Sequence, residues 1–492
     1  MVTPELGETR YFSRPGKRAP CAKAGGMADF CAVLVDALQD SGVEVHVAMP
    51  DYRGILPSHA AGLRNLHLCP DQEFDHRKSV YDGGREAMVH GSLAFQREVI
   101  RLLPEIRPDV VHCHDWMTGL VPAVARELNI PCVFTLQNLH DHNLTLRDLE
   151  AAGIDARDGM WRHLFYQHFP AGYETTRDFN FFSPLASGIH AADFVTVVGH
   201  GFLEEINDGR HPVPGLVREA IRGKHNDGRA HGILNALPDT YRPENDPHVC
   251  FRYDAASHVE GKRRNKREAQ RRLGLEINES APMLFWPSRL DPAQKGCHLL
   301  AEILHSLITD YADLGLQVVF VADGSARGDF EHIVKSNDLE NRVVVTGFSE
   351  ELSRLAYAAS DFTLMPSAYE PCGLSQLAGM RYGSLPVVHG TGGLRDTVFP
   401  MDGSAEHGNG FVFETYHARA FRAVIDDAMR FFIRPDREKM DVISRVMRRA
   451  AVSYSPTEMI GKFQGVYDDA ILFCNDGRME RASCAARAIL GP

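Results

Sequence analysis

At 492 residues, with 44% apolar and 24% charged side chains, the chain is globular in composition and too long for one ordinary core, so two domains are expected. Its formal net charge of −12 excludes a general nucleic-acid binder, which needs a basic surface, while leaving room for a local basic pocket that takes one nucleotide. The opening MVTPELGETRYF has no basic segment followed by an apolar one, and no run of about 18 apolar residues occurs anywhere, so neither a signal peptide nor a membrane span is expected.

In chain order, a helix is predicted over Ala28–Ser41 and a strand over Val43–Met49. Further strands are predicted at Asp109–His112, Cys132–Leu136 and Phe194–Val198, each bounded by Pro, Gly or Asp, with helical stretches between them. Short strands that are almost wholly apolar are buried on both faces, as in a parallel sheet under helices. The stretch Pro238–Asn265 is polar and holds no strong apolar period, so a domain boundary is expected near residues 240–275. The run KRRNKREAQRRLGL (Lys262–Leu275) reads as a basic helix with a solvated face. The second half then repeats the plan, with strands at Met283–Trp286, Leu316–Val321, Arg342–Thr346, Phe362–Met365 and Leu385–Val388. Pro456–Phe473 is amphipathic, and the tail NDGRMERASCAARAILGP after it carries no motif. The ten cysteines include no C-x-x-C pair, which fits free thiols in a reducing cytoplasm and gives no metal framework. The expected fold class is α/β, with two doubly wound parallel sheets in tandem whose strand ends face a shared cleft, the place where open α/β sheets bind ligands.

Four clusters carry chemistry, each at a strand–loop–helix junction. In KAGGMAD (Lys23–Asp29) the paired Gly25 and Gly26 let backbone N–H groups approach an anion, the helix start adds partial positive charge, and Lys23 adds a full one; a purely structural Gly-Gly turn is the other reading. In VHCHDWMTGL (Val111–Leu120), His114 and Asp115 fall where a strand ends, so Asp115 either faces the cleft or caps the next helix with Trp116 in the core. In WPSRLDPAQKG (Trp286–Gly296), Arg289 and Lys295 either converge on a pyrophosphate or are solvated surface charges. The fourth, Pro366–Val398, is the most specific: Glu370 precedes a Pro, Cys372, Gly373 and Leu374 open one helix, and Thr391, Gly392 and Gly393 open another, offering two sets of free amides.

In this order and approximate spacing, KAGGMAD, HDW, SRL…QKG, EPCGLSQ and TGGLRDTV resemble the glycogen and starch synthases of the bacterial and plant type, over most of residues 1–470. The resemblance implies the GT-B fold, two Rossmann-like domains with the active site in the interdomain cleft. The domains would be residues 1–245, 246–455, and a C-terminal helical segment with its tail, 456–492, returning to the N-terminal domain. It implies a retaining transfer of glucose from a nucleotide sugar, ADP-glucose in preference to UDP-glucose, to the non-reducing end of an α-1,4-glucan, with no metal and no other cofactor. Residue by residue, Lys23, Gly25 and Gly26 would hold donor phosphates and Asp29 would lie near sugar or acceptor. Asp115, Gln137 and Asn138 would line the glucosyl site, and Arg289 and Lys295 would grip the diphosphate. Glu370 would sit by the transferred glucose, whose hydroxyls the backbone of Cys372, Gly373 and Leu374 would hold, while Thr391, Gly392 and Gly393 would touch phosphates or sugar. No DxD-type carboxylate pair stands ready for a divalent ion, so cations and helix starts would stabilise the leaving group.

The chain departs from the family pattern around the sugar and acceptor. Gln137 in TLQN stands where the family has a histidine, unless a register shift brings in His140 or His142; a glutamine hydrogen-bonds but carries no charge. Met117 replaces a frequent histidine, Val198-Gly199-His200 the usual Val-Ser-Pro, and Gly390 a frequent arginine; Tyr454-Ser455 lacks the usual aromatic. The segment GETRYFSRPGKRAPCA is longer than the family's loop. Transfer to another acceptor or from another nucleotide, and a non-catalytic role in binding glucan or nucleotide, are the competing readings. No nucleic acid or membrane partner is expected, and the sequence is silent on oligomeric state.

Overall fold

The computed structural model describes residues 1–401 and 407–490, with side chains described as far as residue 476. The last two residues of the motif-free tail lie outside the described residues. Contacts divide the chain into two units, Met1–Leu234 with Pro456–Pro492, and Asn235–Ser455. The division thus falls at Leu234, earlier in the chain than the boundary expected after residue 245.

The first unit holds β1 (Val47–Pro50), β2 (Leu66–Cys69), β3 (Val111–His114), β4 (Cys132–Leu136), β5 (Phe194–Val197) and β6 (Ala230–Gly232). All their pairings are parallel. Val2 bridges Ala48 of β1 and Cys113 of β3, parallel to both, and joins the sheet into the order β2–β1–Val2–β3–β4–β5–β6. From Val2 the chain winds outward to β1 and β2, then crosses back to β3. The strand order therefore reverses between Val2 and β3, and ligands of open α/β sheets bind beyond the strand ends at such a point. β3, β4 and β5 are buried along their whole length, as an apolar strand covered on both faces should be. The strand expected from Val43 begins only at Val47, because Val43 donates to Leu38 O and finishes the preceding helix.

Helix Gly26–Asp40 lies against this sheet. The C-terminal helix Pro456–Leu490 joins it, burying Met459, Ile460, Phe463, Val466, Ala470 and Cys474 at helical spacing. Phe463 packs on Phe30, ring centroids 5.7 Å apart, and the Tyr467 hydroxyl is hydrogen-bonded to His112 Nδ1 at 2.8 Å.

The second unit holds β7 (Met283–Trp286), β8 (Gln317–Val321), β9 (Val343–Thr346), β10 (Phe362–Met365), β11 (Leu385–His389) and β12 (Phe411–Phe413). They form one parallel sheet in the order β12–β11–β10–β7–β8–β9. The chain winds from β7 to β9 and returns to β10, so the reversal falls between β7 and β10.

The basic helix, His258–Leu273, corrects the expectation of a merely solvated face. Arg263, Arg267 and Arg271 are exposed, but Lys262 and Lys266 are buried. Lys262 Nζ donates to the carbonyls of Ala358 at 3.2 Å, Ser360 at 2.8 Å and Tyr382 at 3.0 Å. These lie at the ends of helices Glu350–Ala359 and Ser375–Arg381, whose last carbonyls lack helical partners. Burial pushes the Lys262 ammonium down to about 7. Lys266 Nζ pairs with Asp361 Oδ2 at 2.6 Å. Among the described residues, no helix is long and apolar enough to cross a membrane.

Candidate active site

In the second unit, the loops leaving β7 and β10 flank the reversal of strand order, and they carry Arg289, Lys295 and Glu370. After β7 the chain turns on Asp291, whose carboxylate accepts from Ala293 N at 3.0 Å, and reaches Lys295 just before helix Cys297–Asp310. Gly296 between them has φ of +73°, and a Cβ there would stand 2.0 Å from Pro366 O, so only glycine lets the two loops approach this closely. Across that contact, Lys295 Nζ donates to Glu370 Oε2 at 2.6 Å. The two side chains are only 11% and 10% exposed. Ser367 Oγ donates to the same oxygen at 3.0 Å. Among the described residues Glu370 Oε1 accepts nothing. Arg289 shares the loop but is exposed, its guanidinium donating to Gln294 Oε1 at 3.4 Å.

The two glycine turns that follow pack on each other. Gly393 N donates to Glu370 O at 2.9 Å, and a Cβ on Gly393 would stand 2.0 Å from Cys372 O. Gly373 has φ of +73°. The buried Gln376 fixes this turn, donating to Gly373 O at 2.9 Å and Thr397 Oγ1 at 3.0 Å. Leu374 and Thr391 are the cap residues of helices Ser375–Arg381 and Gly392–Thr397. The Cys372 thiol is buried and pushed up to about 12, so it stays protonated at neutral pH and the turn offers backbone rather than thiolate. At Gly390, where the family often has arginine, Arg395 donates to the Gly390 carbonyl and its Nη2 lies 3.5 Å from Glu414 Oε2. A guanidinium thus stands beside that position from the next helix.

In the first unit, the loop after Val2 carries Lys23 and Gly25, the first turn of helix Gly26–Asp40 carries Gly26 and Asp29, and the loop leaving β3 carries Asp115. Lys23 Nζ pairs with Asp29 Oδ2 at 2.8 Å, both partly exposed. The space a side chain would fill at Gly25 and Gly26 is open. Sequence reasoning missed Glu5. It is buried, and its Oε2 accepts from Ala24 N at 2.8 Å and Gly25 N at 2.9 Å. Of the two turn amides expected to face a donor phosphate, that of Gly25 therefore already holds a carboxylate of the chain itself. Tyr81 donates its hydroxyl to the other oxygen of Glu5. The available signal was an acidic residue just past the Val2 strand, at the same strand end as the glycine turn.

Asp115 caps no helix with its side chain, although Trp116 is core as the structural reading had it. Its backbone is left-handed, with φ of 59°, and its buried carboxylate accepts from Gln137 N at 2.7 Å, Asn138 N at 3.2 Å and Asn138 Nδ2 at 2.5 Å. Burial pushes this carboxyl up to about 7, while the bonds from the Gln137 and Asn138 amides pull it down. Gln137 directly follows β4, so no register shift brings a histidine to its place. His140 is exposed, and His142 stacks edge-on against Trp116 at 4.3 Å. His114, fully buried between Phe30 and His112, is pushed down to about 3 by burial and is neutral at any working pH.

Two doubly wound parallel sheets, with the motif residues gathered where each strand order reverses, are the architecture of the GT-B fold. Residues 17–218 match the model of the starch synthase catalytic domain, and residues 281–430 that of glycosyl transferases group 1. The glycogen synthase of Exiguobacterium sibiricum is 33% identical over 444 residues, 82% of this chain and 87% of that protein. Glycogen synthase 2 of Geobacter sulfurreducens is 33% identical over 475 residues, 88% of this chain and 92% of that protein. Among solved structures, the catalytic domain of starch synthase IV from Arabidopsis thaliana, bound to ADP and acarbose, superposes with a TM-score of 0.77 at 24% identity, over 96% of this chain and 99% of that one. The chain belongs to the glycogen and starch synthase family.

Proposed function

We propose that the protein transfers glucose, with retention, from ADP-glucose to the non-reducing end of an α-1,4-glucan. The observation that carries this reading is the buried Lys295–Glu370 pair where the second unit's strand order reverses. An ammonium has three N–H donors, and Glu370 engages one of them, which leaves the others for the diphosphate of a donor. The Glu370 oxygen without a partner then faces the positive charge that develops on the sugar as the diphosphate leaves, and the cation stabilises the departing phosphates. Arg289, exposed on the same loop, adds a second cation for the ground state and the transition state alike. The ADP bound by starch synthase IV supports ADP-glucose as the donor. Lys23 and Asp29 on the first unit are assigned to donor phosphate and sugar or acceptor, with the phosphate drawn by Lys23 and the Gly26 amide rather than by the Gly25 amide that Glu5 takes. Asp115 acts by holding Gln137 and Asn138 in place. We place the reaction in the cytoplasm, because the nine described cysteines are all free thiols, the state a reducing compartment maintains.

The test is a transfer assay with purified protein and ADP-glucose or UDP-glucose, with and without glycogen, following diphosphate release and glucan-bound glucose. Glycogen-dependent transfer from ADP-glucose is expected. Diphosphate release that ignores glycogen but responds to another sugar supports the second reading, transfer to a different acceptor, which Gln137 in place of the family's histidine favours. Binding of ADP without any release overturns both.

A further inference from the structure

Past Asn138 the chain stays beside the Asp115 loop. Asn138 Oδ1 accepts from His140 N at 3.0 Å, and Asp141 Oδ1 accepts from Leu185 N of helix Pro184–Ala191 at 3.3 Å. These ties deliver His142 to the residue next to Asp115: its ring meets Trp116 edge-on, with centroids 4.3 Å apart and planes at 69°. Nδ1 of the same ring accepts from Arg85 Nε at 3.2 Å, in the first turn of helix Gly84–Ile106. Three segments thus hold one imidazole: its own loop, the turn after β3 and a helix start.

The Arg85 bond fixes the ring's polarity. A guanidinium only donates, so Nδ1 holds a lone pair and the hydrogen of the neutral ring sits on Nε2. The ring is neutral at working pH, because partial burial, the charge of Arg85 and then that of His140 all lower its pKa. It is half-buried, and among the described residues nothing accepts from Nε2. His114, the other histidine next to Asp115, lies fully buried against Phe30 and His112 and offers a ligand no donor. The Asp115 carboxylate is itself taken up by Gln137 and Asn138. An uncharged N–H of fixed polarity suits an uncharged oxygen, whereas a phosphate is met better by a cation.

We propose that His142 donates its Nε2 hydrogen to a hydroxyl oxygen of the donor's glucosyl group, and that Arg85 is the positioning residue that fixes this tautomer. The inference rests on the reading above that the transferred glucose lies at the Asp115 site. His142 is then the imidazole of a site in which Gln137 follows β4, reached from five positions further along the same loop. Without Arg85, the hydrogen exchanges between the two ring nitrogens and the ring loses one of its two side-chain supports.

The experiment compares the full-length protein with His142→Phe, which keeps a flat ring against Trp116 but has no N–H, and with His142→Gln, which restores an amide N–H. The readouts are calorimetric titrations with ADP and with ADP-glucose, kcat/KM for ADP-glucose with glycogen as acceptor, and the thermal midpoint. His142→Phe should lower kcat/KM about tenfold, the order of one lost hydrogen bond between uncharged groups, and weaken ADP-glucose binding. Its affinity for ADP and its midpoint stay at the wild-type values, and His142→Gln recovers most of the loss. Arg85→Met should lower kcat/KM in the wild type and add nothing on top of His142→Phe. Unchanged ADP-glucose binding and kcat/KM in His142→Phe overturn the assignment. So do equal losses for ADP and ADP-glucose with a lowered midpoint, which make the ring structural. Additive losses at Arg85 and His142 overturn the positioning role. If ADP-glucose binding responds to His142 yet glycogen receives no glucose, the acceptor of the proposed function fails and His142 stands. Transfer to glycogen that ignores His142 gives the reverse.

Discussion

Lys295 and Glu370 are oppositely charged, close and nearly dry, so each is costly without the other. Breaking a buried pair by removing one partner leaves an uncompensated charge, at about 3–5 kcal/mol, whereas removing both is far milder. Glu370→Gln should therefore destabilise the second unit and lower the transfer rate by about 10²–10³-fold, the order seen when one transition-state contact is lost, while ADP still binds. Adding Lys295→Met should return most of the stability and none of the activity. Denaturation midpoints and kcat, measured on the same samples, separate the two effects; a double variant as unstable as the single would remove the ion pair from the argument. Asp115 carries the pH dependence. Its folded pKa is raised to about 7, so between its unfolded value of 3.8 and 7 the folded protein holds a proton that the unfolded chain has lost. The sign follows: this contribution is full below the unfolded pKa and falls as pH rises, by at most about 1.4 kcal/mol per pH unit. Asp115→Asn should flatten that part of the stability profile between about pH 4 and 7. Urea midpoints across that range check it, and parallel profiles for the two proteins would contradict it.

The loops at the reversal of strand order hold their residues through backbone contacts that no side chain tolerates. Gly296→Ala combines a left-handed φ with a Cβ 2.0 Å from Pro366 O, so it should push the Lys295 loop off the Glu370 loop. A loss of about 2–4 kcal/mol is expected, together with at least a tenfold fall in activity. Scanning calorimetry and the transfer rate measure it, and a variant with wild-type values would show that the loops can separate freely. The central strands were legible because parallel strands buried on both faces need uninterrupted apolar runs: Cys132–Leu136, Met283–Trp286 and Phe362–Met365 came out residue for residue. β2, β6 and β12 were not: they stand at the edges of their sheets and are only partly buried, so they lack the uninterrupted buried apolar run of a central strand. In the site, the glycine turns and the cations were readable from their spacing within single loops. The partnership of Lys295 with Glu370 spans 75 positions, and Glu5 reaches the Gly25 turn across 20, so only the folded sheet brings them together. The Lys262 helix misled for a related reason: its composition is that of a solvated face, and its burial is decided by helix ends about 95 to 120 residues away that need donors.

The chain leaves its first unit at Leu234 and returns at Pro456, so the second unit is inserted into the first, and the last helix completes a sheet begun more than four hundred residues earlier. Each unit has a core of its own, and damage to one core should be felt locally. Phe463→Ala removes a ring that packs on Phe30 and His112 in the first unit, a loss of about 3–5 kcal/mol. Lys262→Met leaves the carbonyls of Ala358, Ser360 and Tyr382 without their donor in the second, at about 1–3 kcal/mol. Hydrogen exchange followed by mass spectrometry should show faster exchange in Gly26–Asp40 and β3 for the first variant, with β7, β8 and β10 unchanged, and the converse for the second. Equal acceleration in both units from either substitution would mean that they unfold as one cooperative body. In that case the helix that closes the first unit would also govern the stability of the loops bearing Lys295 and Glu370, and a substitution at Phe463 would lower transfer without touching any residue of the site.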